Sequence, residues 1–420
     1  MMRSLFAGVS GLRNHQTRMD VIGNNIANVN TIGFKASRVN FQDILSQTMQ
    51  GASSGIGNQG GTNPIQIGLG VSIASIDTIF TDGSFQPTGK QTDLSIQGKG
   101  FFVLSPDGGK TEVFTRAGNF DFDRLGNFIV PGTGYKVVGW KADSNGNIDT
   151  DPSKRTTIDI PVGTQMPAQA TKAITFANNL SADAANGTTV KVSYDIYDNL
   201  GKRYTLPVVF TKTGDTTWDY TISNTSEYTV ATLPATSVTG RLTFDAATGK
   251  LSSTTPPTVT TIDISYTTPA QKVSGIQLKF DQVTQYGGDT TLQIVDQDGY
   301  PPGSLEGVTI DPNGVIVGRF SNGKTRNLAQ VALATFNNPA GLTKIGDSLY
   351  AVSSNSGTPE IGVTGSGGRG KLNPGTLEMS NVDLAQEFSN MIITQRGFQA
   401  NSKIISVTDE MLQELANLKR

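Results

Sequence analysis

The apolar residues recur at helical spacing at both ends of the chain and at a spacing of two in between. Steps of three, four or seven place side chains on one face of an α-helix, whereas alternation is typical of a strand. One helix is therefore predicted within residues 4–29 and another within 384–415. Their apolar faces are the candidate contact sites: Leu5, Val9, Leu12, Met19, Ile22, Ile26 and Val29 on the first helix, and Leu384, Phe388, Met391, Phe398, Ile405, Leu412 and Leu415 on the second.

The two predicted helices differ in charge. Residues 1–40 contain five basic side chains and one acidic side chain, whereas residues 376–420 contain six acidic and four basic ones. Because exposed ion pairs contribute little stability, we interpret this asymmetry as setting orientation and partner choice. Ser380 and Asp383 have the spacing of a capping box, which predicts where the second helix begins.

The middle of the chain reads as β-structure. Alternating runs such as 190–196, 218–222 and 276–280 predict strands, and Asn-Gly and Gly-Asn pairs predict the turns between them. Val71, Ile73 and Ile76 predict a strand whose alternation slips once. Because no helices alternate with these strands, we expect a mixed fold in which paired, coiled-coil-like terminal helices flank discontinuous domains of antiparallel sheets or barrels.

Glycine-rich tracts at 51–61 and 365–370 suggest how the chain is divided. We interpret them as the outgoing and returning legs of one path, which would bring both terminal helices to one end. Helices tethered in this way cannot easily bury their apolar faces on the β-regions, so we expect them to pack against each other and against copies of themselves. The predicted division is 1–30 with 376–420 as a helical domain, 31–70 with 364–375 as a linker, 71–144 with 291–363 as an inner β-domain, and 145–290 as an outer β-insertion.

The residues on which most catalytic and metal chemistry depends are scarce. The chain has no cysteine and a single histidine, His15, which excludes disulfides, zinc–thiolate sites and thiol nucleophiles. A net charge of −2 gives no electrostatic footprint for nucleic acid. We therefore predict no enzymatic activity, no cofactor, no bound metal and no nucleic-acid partner.

No stretch of the sequence is long and apolar enough to insert into a membrane, and the first residues do not form a convincing secretory signal. If the protein leaves the cell, we expect an export route that reads no cleaved signal.

Four local patterns resemble functional motifs and favour simpler readings. Residues 365–370 match a dinucleotide fingerprint by letter but do not open a helix, so a linker is favoured. Residues 143–149 resemble the start of a calcium loop, but Lys154 stands where a glutamate is needed, which favours a polar turn. The neighbouring Asp121 and Asp123 are interpreted as solvated, and His15 as a contact or surface residue on the polar face of its helix.

Several motifs on the predicted helices resemble those of bacterial flagellar rod and hook proteins. Residues 19–35, MDVIGNNIANVNTIGFK, are similar to the N-terminal motif of that family. The C-terminal half is matched by residues 380–388, SNVDLAQEF, by 394–403, TQRGFQANSK, and by 409–415, DEMLQEL. Two internal stretches, 94–102 and 115–120, look like the first β-domain of the family.

This resemblance implies a structural subunit that polymerises into a curved, hollow tube, in which the apolar faces of the terminal helices pack within and between subunits. It implies a location outside the cell in the flagellum, after export of the unfolded chain by the flagellar type III apparatus. The implied partners are copies of the chain itself, the distal rod protein, the hook cap protein and the hook–filament junction protein.

Within this family, the β-rich block near residues 145–290 favours a hook subunit, which acts as a universal joint between rod and filament, over the shorter distal rod protein. A phage-tail or adhesin-type structural protein and a carbohydrate-active β-domain enzyme are the alternatives outside the family. The paired terminal motifs speak against the former, and no convergent pair of acids stands out to support the latter.

Overall fold

A computed structural model describes residues 2–52, 54, 60–161, 163–223, 228–231, 237–255, 260–266 and 272–417. The chain divides into two compact units. Unit 1 comprises Met1–Val162, Val308–Gly318 and Arg326–Arg420, and unit 2 comprises Gly163–Gly307 and Arg319–Thr325. The four-part division made from the sequence stays a prediction, and most of the glycine tract at 51–61 lies outside the described residues.

The terminal helices are α1, Met2–Ala27, and α2, Leu384–Asn417, which confirms both predictions of helix. The capping prediction was wrong by three residues. Asp383, rather than Ser380, precedes the first helical residue, and its Oδ1 accepts hydrogen bonds from the N–H groups of Ala385 at 2.9 Å and Gln386 at 3.2 Å. An aspartate is among the best residues at this position because its carboxylate satisfies backbone donors that lack a helical partner.

Residues 31–70, predicted as a linker, contain the strands β1 (Ser37–Asp43), β2 (Ser46–Gln50) and β3 (Ile65–Gly68), and the strand predicted at Val71 is β4 (Val71–Thr78). β1 pairs with β4 and β2 pairs with β3, both antiparallel, so the four strands form a long hairpin in two tiers. A register shift opposite Asn40 and Phe41 confirms the slip predicted in β4. The four strands lie outside the glycine-rich tract at 51–61, so few glycines weaken their pairing.

The remaining strands before unit 2 belong to unit 1. They are β5 (Phe85–Pro87), β6 (Leu94–Gln97), β7 (Phe101–Ser105), β8 (Val113–Thr115), β9 (Asp121–Phe122), β10 (Phe128–Ile129), β11 (Lys136–Lys141) and β12 (Thr156–Thr157).

The strands of unit 2 are β13 (Gln165–Met166), β14 (Ala173–Asn179), β15 (Thr189–Tyr197), β16 (Arg203–Gly214), β17 (Thr217–Ser223), β18 (Tyr228–Ala231), β19 (Ser237–Phe244), β20 (Leu251–Thr255), β21 (Thr260–Tyr266), β22 (Lys272–Thr284) and β23 (Gln293–Gln297).

After them, β24 (Gly303–Ile310) and β25 (Val315–Phe320) each have residues in both units. The chain then continues through β26 (Thr325–Val331), β27 (Leu333–Thr335), β28 (Thr343–Gly346), β29 (Leu349–Ala351), β30 (Glu360–Gly362), β31 (Lys371–Pro374) and β32 (Thr376–Glu378) to α2.

Unit 1 is built on a sheet that includes the strand order β26-β11-β7-β8-β29-β28. Aromatic side chains fill its core, where the rings of Phe101 and Phe336 lie 5.6 Å apart and those of Phe114 and Phe336 lie 4.9 Å apart. The returning chain closes this unit, since β31 pairs with β6 and β32 pairs with β5. These last two pairings lead the chain back to the start of α2.

Unit 2 contains two five-stranded sheets among the described residues, ordered β18-β21-β22-β14-β23 and β15-β16-β17-β19-β20. Side chains from both sheets form one apolar cluster, with Phe176, Phe210, Trp218 and Phe280 near its centre. Antiparallel pairing was predicted and predominates, but β14 and β22 are parallel. The described strands form open sheets and no closed barrel, so of the two predicted forms only the sheet occurs in this part of the chain.

Acidic residues in the motif-like segments stabilise turns. Asp143 Oδ1 accepts hydrogen bonds from the N–H groups of Asn145 and Asn147 at 2.9 and 2.8 Å, and Gly146 supplies the positive φ of 84° that the turn requires. The hydrogen bond from Asn147 lowers the pKa of Asp143. The carboxylate that resembled a calcium ligand therefore holds a hairpin turn.

The other two acidic or glycine-rich patterns are also structural. Asp121 forms an exposed ion pair with Lys90 at 2.8 Å, and Asp123 accepts hydrogen bonds within its own turn. Residues 365–370 form turns in which Arg369 Nε donates to the carbonyl of Val363 at 3.0 Å. The fingerprint-like glycines thus belong to an ordered turn.

Candidate assembly surface

α1 and α2 pack antiparallel and closely, through small residues. A β-carbon on Gly11 of α1 would lie 2.8 Å from Asn401 Oδ1 of α2, and one on Gly397 of α2 would lie 2.7 Å from the His15 ring. Near the other end, Asn25 of α1 donates a hydrogen bond to the Glu387 carboxylate of α2. These contacts place residues 11, 15 and 25 opposite 401, 397 and 387, which defines one continuous antiparallel register.

A neighbouring side of α1 packs on the β1/β4 hairpin. Asn14 Nδ2 donates to the carbonyl of Val71 at 2.6 Å, at the start of β4. Asn25 bonds both backbone groups of Ser37, at 2.8 and 3.0 Å, at the start of β1. The expectation that the terminal helices could not bury their faces on β-structure was therefore wrong for α1, because the predicted linker forms the hairpin that covers it.

A buried ionic cluster joins the two legs of the chain. Lys35, which follows α1, and Glu378, which precedes α2, have fully buried side chains, and Lys35 Nζ lies 2.5 Å from Glu378 Oε1. Lys35 also donates to the carbonyl of Thr81 at 2.6 Å, and Arg116 lies 3.4 Å from Glu378 Oε2. Burial lowers the pKa of Lys35, and the negative charge of Glu378 opposes that shift. The cluster joins the segment that follows α1 to the segment that precedes α2, within unit 1.

His15 lies where three elements meet. Its ring fills the space beside Gly397 of α2 and stacks edge-on against Phe41 of β1, with ring centroids 5.8 Å apart. Burial and the charge of Arg18 lower the pKa of His15. The sequence placed this residue on the polar face of α1 as a contact or surface residue, and the structure assigns it the role of contact.

The predicted stripe residues fall into three burial classes. Ile22 is the only one that is fully buried. The half-buried members are Leu5, Val9, Leu12, Met19, Ile26, Val29, Met391, Phe398 and Ile405. The exposed members, Leu384, Phe388, Leu412 and Leu415, all lie on α2. The structure therefore uses the α1 stripe inside the subunit and leaves much of the α2 stripe open.

Further large apolar side chains of α2 are exposed that the sequence stripe had omitted. Ile392 is 58% exposed and Ile393 is 59% exposed. The face of α2 that touches α1 instead carries small and polar residues, including the buried Thr394 and Thr408, whose hydroxyls donate to the carbonyls of Asn390 and Ile404. Glycines at positions 8, 11 and 397 were the sequence signal for this close approach.

Among the described residues, no group of three or more acidic or histidine side chains is arranged to hold a metal ion. Neither of the described α-helices is long and apolar enough to cross a membrane.

Four family descriptions match the chain, in an order that follows the fold. Residues 5–35 match Flagella basal body rod protein, and residues 95–179 match Flagellar hook protein FlgE/F/G D1 domain. Residues 165–300 match Flagellar basal body protein FlaE D2 domain, and residues 373–418 match Flagellar basal body rod FlgEFG protein C-terminal.

Curated relatives extend the match to the whole chain. The Flagellar hook protein FlgE of Borreliella burgdorferi is 44% identical over 449 residues, which cover 100% of both chains. The chain belongs to the flagellar hook protein family. The corresponding protein of Treponema pallidum is 41% identical over 471 residues, and the Flagellar basal-body rod protein FlgG of Bacillus subtilis is 34% identical over 421 residues, each with 100% of both chains covered.

A solved structure supports the same fold. The crystal structure of the Helicobacter pylori flagellar hook protein FlgE2 superposes with a TM-score of 0.51 at 17% identity, covering 70% of this chain and 100% of that one. The resemblance read from the terminal motifs is thus confirmed. As a member of the hook family, the chain is a structural protein of the bacterial flagellum, not an enzyme, and it self-polymerises into the flagellar structure.

Proposed function

We propose that the chain is the structural subunit of a curved, hollow flagellar hook that acts as a universal joint between rod and filament, and that copies join through the terminal helices. The observation that carries the second part is the exposure of large apolar side chains along α2, including Phe388 at 51% and Leu415 at 48%. Many large apolar side chains exposed along one helix point to an interaction surface.

We propose that the fourteen stripe residues form the assembly interface and that the α1 and α2 members have different roles in it. The α1 members stabilise the subunit, because α1 packs both on α2 and on the β1/β4 hairpin. The α2 members reach a neighbouring copy, because their outer face has no partner within the described chain. A helix pair of this kind completes its burial only in the polymer.

We further propose three partners beyond the chain itself, on the basis of the family resemblance. They are the distal rod protein at one end, the hook cap protein during growth, and the hook–filament junction protein at the other end. We propose that the flagellar type III apparatus exports the chain unfolded and without a cleaved signal, so that the hook is assembled outside the cell. The lack of cysteine supports this route, because no disulfide has to be avoided or reduced before export.

The second candidate is the distal rod protein of the same family. The Bacillus subtilis rod-protein relative aligns with the whole of this chain, so the central β-region alone does not separate the two roles. Identities of 44% and 41% to two hook proteins, against 34% to that rod protein, favour the hook subunit. A phage-tail or adhesin role has less support, since the family matches cover both terminal helices.

The assembly surface is tested with the full-length protein and the variant Phe388→Asp. We expect the variant to remain a folded monomer, because surface substitutions usually change stability by less than about 0.5 kcal/mol, but to form no tubes. Electron microscopy and light scattering measure the tubes, and circular dichroism measures the melting temperature.

The control is Leu125→Asp, which changes a leucine that is 67% exposed in a turn of unit 1 and should leave tube formation intact. Normal tubes from Phe388→Asp would place the assembly surface elsewhere.

A further inference from the structure

α2 carries a second apolar seam that α1 does not cover. Ile393, Ala400, Ile404, Val407 and Met411 are separated by steps of seven, four, three and four, the spacing of a coiled-coil seam. All five are exposed in the subunit, with Ile393 at 59% and Met411 at 42%. Ile404 lies at the edge of this seam, where its Cγ2 also approaches Gly8 of α1.

A stripe of charge runs beside this seam. Arg396, Lys403 and Glu410 follow one another at steps of seven, and Glu414 lies four residues further on, so all four share one helix face. All four side chains are exposed, and none forms an ion pair within the described part of the chain. The first half of the stripe is basic and the second half is acidic.

The stripe points away from α1. The residues of α2 that meet α1 are Glu387, Thr394, Gly397, Asn401 and Thr408. At 100° per residue, Arg396 and Lys403 lie on roughly the opposite side of the helix from the line through Thr394, Asn401 and Thr408. In the described contacts between the two helices, the charged stripe does not take part, and the seam takes part only through Ile404 beside Gly8.

We propose that α2 of a second copy packs in parallel along this seam, displaced by about 20 Å along the helix axis, and that the charged stripe selects this displacement. The inference rests on the proposed function, polymerisation through the terminal helices, and adds the register of the contact. Copies that add to a polymer with the same polarity make a heterologous contact, which is compatible with such a displacement.

The arithmetic of the stripe favours that displacement over the alternatives. With no displacement, each charge meets its own copy. A parallel coiled-coil seam stays aligned only when the copies are displaced by whole heptads. At seven residues Arg396 meets Lys403 while Lys403 meets Glu410, so repulsion opposes attraction. At 14 residues Arg396 meets Glu410 and no like charges of the stripe meet, and at 1.5 Å per residue this displacement corresponds to about 21 Å.

The apolar seam alone would not make this choice. Its side chains are similar along its length, so helices can pack on it in several registers that bury similar areas. Charges that flank such a seam decide between registers by repulsion in the wrong ones as much as by attraction in the right one.

A charge swap in full-length protein tests the proposal. Arg396→Glu and Glu410→Arg should each raise the critical concentration for tube formation by about three- to tenfold, a change typical of losing or reversing an exposed pair. The double variant should return to within about twofold of the original protein, because neighbouring copies again present opposite charges. The two positions are about four helical turns apart, so the rescue cannot arise within one helix.

Lys191→Glu in β15 of unit 2 is the charge-matched control and should leave the critical concentration unchanged. A double variant as defective as the single ones, or single variants that assemble normally, would overturn the charge-selected register. Phe388→Asp separates this failure from that of the proposed function, because it reports on whether α2 assembles at all.

Disulfide trapping measures the displacement directly, since the chain has no cysteine of its own. Ile393→Cys combined with Val407→Cys places thiols 14 residues apart, and an added oxidant such as diamide should link them into a ladder of covalent oligomers. Ile393→Cys alone tests zero displacement, and Ile393→Cys with Ala400→Cys tests seven residues. A ladder of equal yield from either of these would overturn the proposed displacement.

Discussion

The two terminal helices have similar apolar stripes in the sequence, yet they occupy opposite positions in the structure. α1 packs on both α2 and the β1/β4 hairpin, with Ile22 and Asn25 buried. α2 meets α1 largely through glycine, threonine and asparagine, with Ile405 beside Gly8, and leaves many of its large apolar side chains exposed. A stripe therefore states that a helix face will be covered, but only the neighbouring elements decide whether the cover comes from the same subunit or from another.

The largest effect is expected at the buried cluster of Lys35, Glu378 and Arg116, which joins the segment after α1 to the segment before α2. Glu378→Gln leaves Lys35 charged and without its partner in a fully buried position, and breaking such a pair typically lowers the free energy of unfolding by about 3–5 kcal/mol. Urea unfolding followed by Trp140 fluorescence, in a Trp218→Phe background, measures the loss in unit 1.

The double variant Lys35→Met/Glu378→Leu should recover part of that stability, because neither of these two charges is then buried, while Arg116 keeps the carboxylate of Asp82 at 3.7 Å. Asp149→Asn, which breaks the exposed pair between Lys154 and Asp149, is the control and should have no measurable effect. A small effect of Glu378→Gln would mean that the helices are held independently of this cluster.

An intermediate effect is expected at the contact between the two helices. Gly11→Ala adds a β-carbon 2.8 Å from Asn401 Oδ1, and overpacking of this kind costs about 1–3 kcal/mol, partly offset by about 1 kcal/mol of helix propensity. We expect a net loss of stability, measured by urea unfolding at the helical circular-dichroism signal.

Gly23→Ala is the matched control on the same helix. No atom lies within 4 Å of its added β-carbon, so it should gain up to about 1 kcal/mol from helix propensity alone. If Gly11→Ala also stabilised the protein, the two helices would be less closely packed than their contacts indicate.

The smallest effect concerns pH. The pKa of His15 is lowered in the folded state, so the unfolded chain binds a proton more readily, and stability falls as the pH drops from about 6.5 through the folded pKa. The melting temperature should therefore decrease slightly more between about pH 7.5 and pH 5.5 in the original protein than in His15→Gln.

Burial also raises the pKa of Glu387, but this carboxylate is present in both proteins, so its contribution cancels in the comparison. Equal pH dependence in the two proteins would show that the His15 ring is solvated.

The local part of the fold could be predicted because it depends on local patterns. The helices were predicted within residues 4–29 and 384–415 and occur at Met2–Ala27 and Leu384–Asn417. Alternation located β15, β17 and β22, and the slipped pattern located the irregular strand β4. Each of these follows from residue spacing, which needs no distant partner.

The candidate assembly surface was only partly predictable for the same reason. Asn14 and Asn25 interrupt the apolar pattern of α1, and the sequence gives no sign that they donate hydrogen bonds to backbone carbonyls of the hairpin. Lys35 and Glu378 are separated by 343 residues, so neither charge reveals that the other one buries it. The seam beside Arg396 and Lys403 could be seen as a pattern, but its exposure could not.

The sequence by itself determined the two helices, the alternating strands, the turn positions and the absence of thiol chemistry, because each is written in residue type and short-range spacing. Tertiary structure decided which face of each helix is covered, since that depends on where distant segments return. It made a hairpin of the supposed linker, placed α1 inside the subunit and left α2 open. The physical reason is that burial is a property of neighbours in space, and for these helices the deciding neighbours lie a hairpin, a β-domain or a whole subunit away.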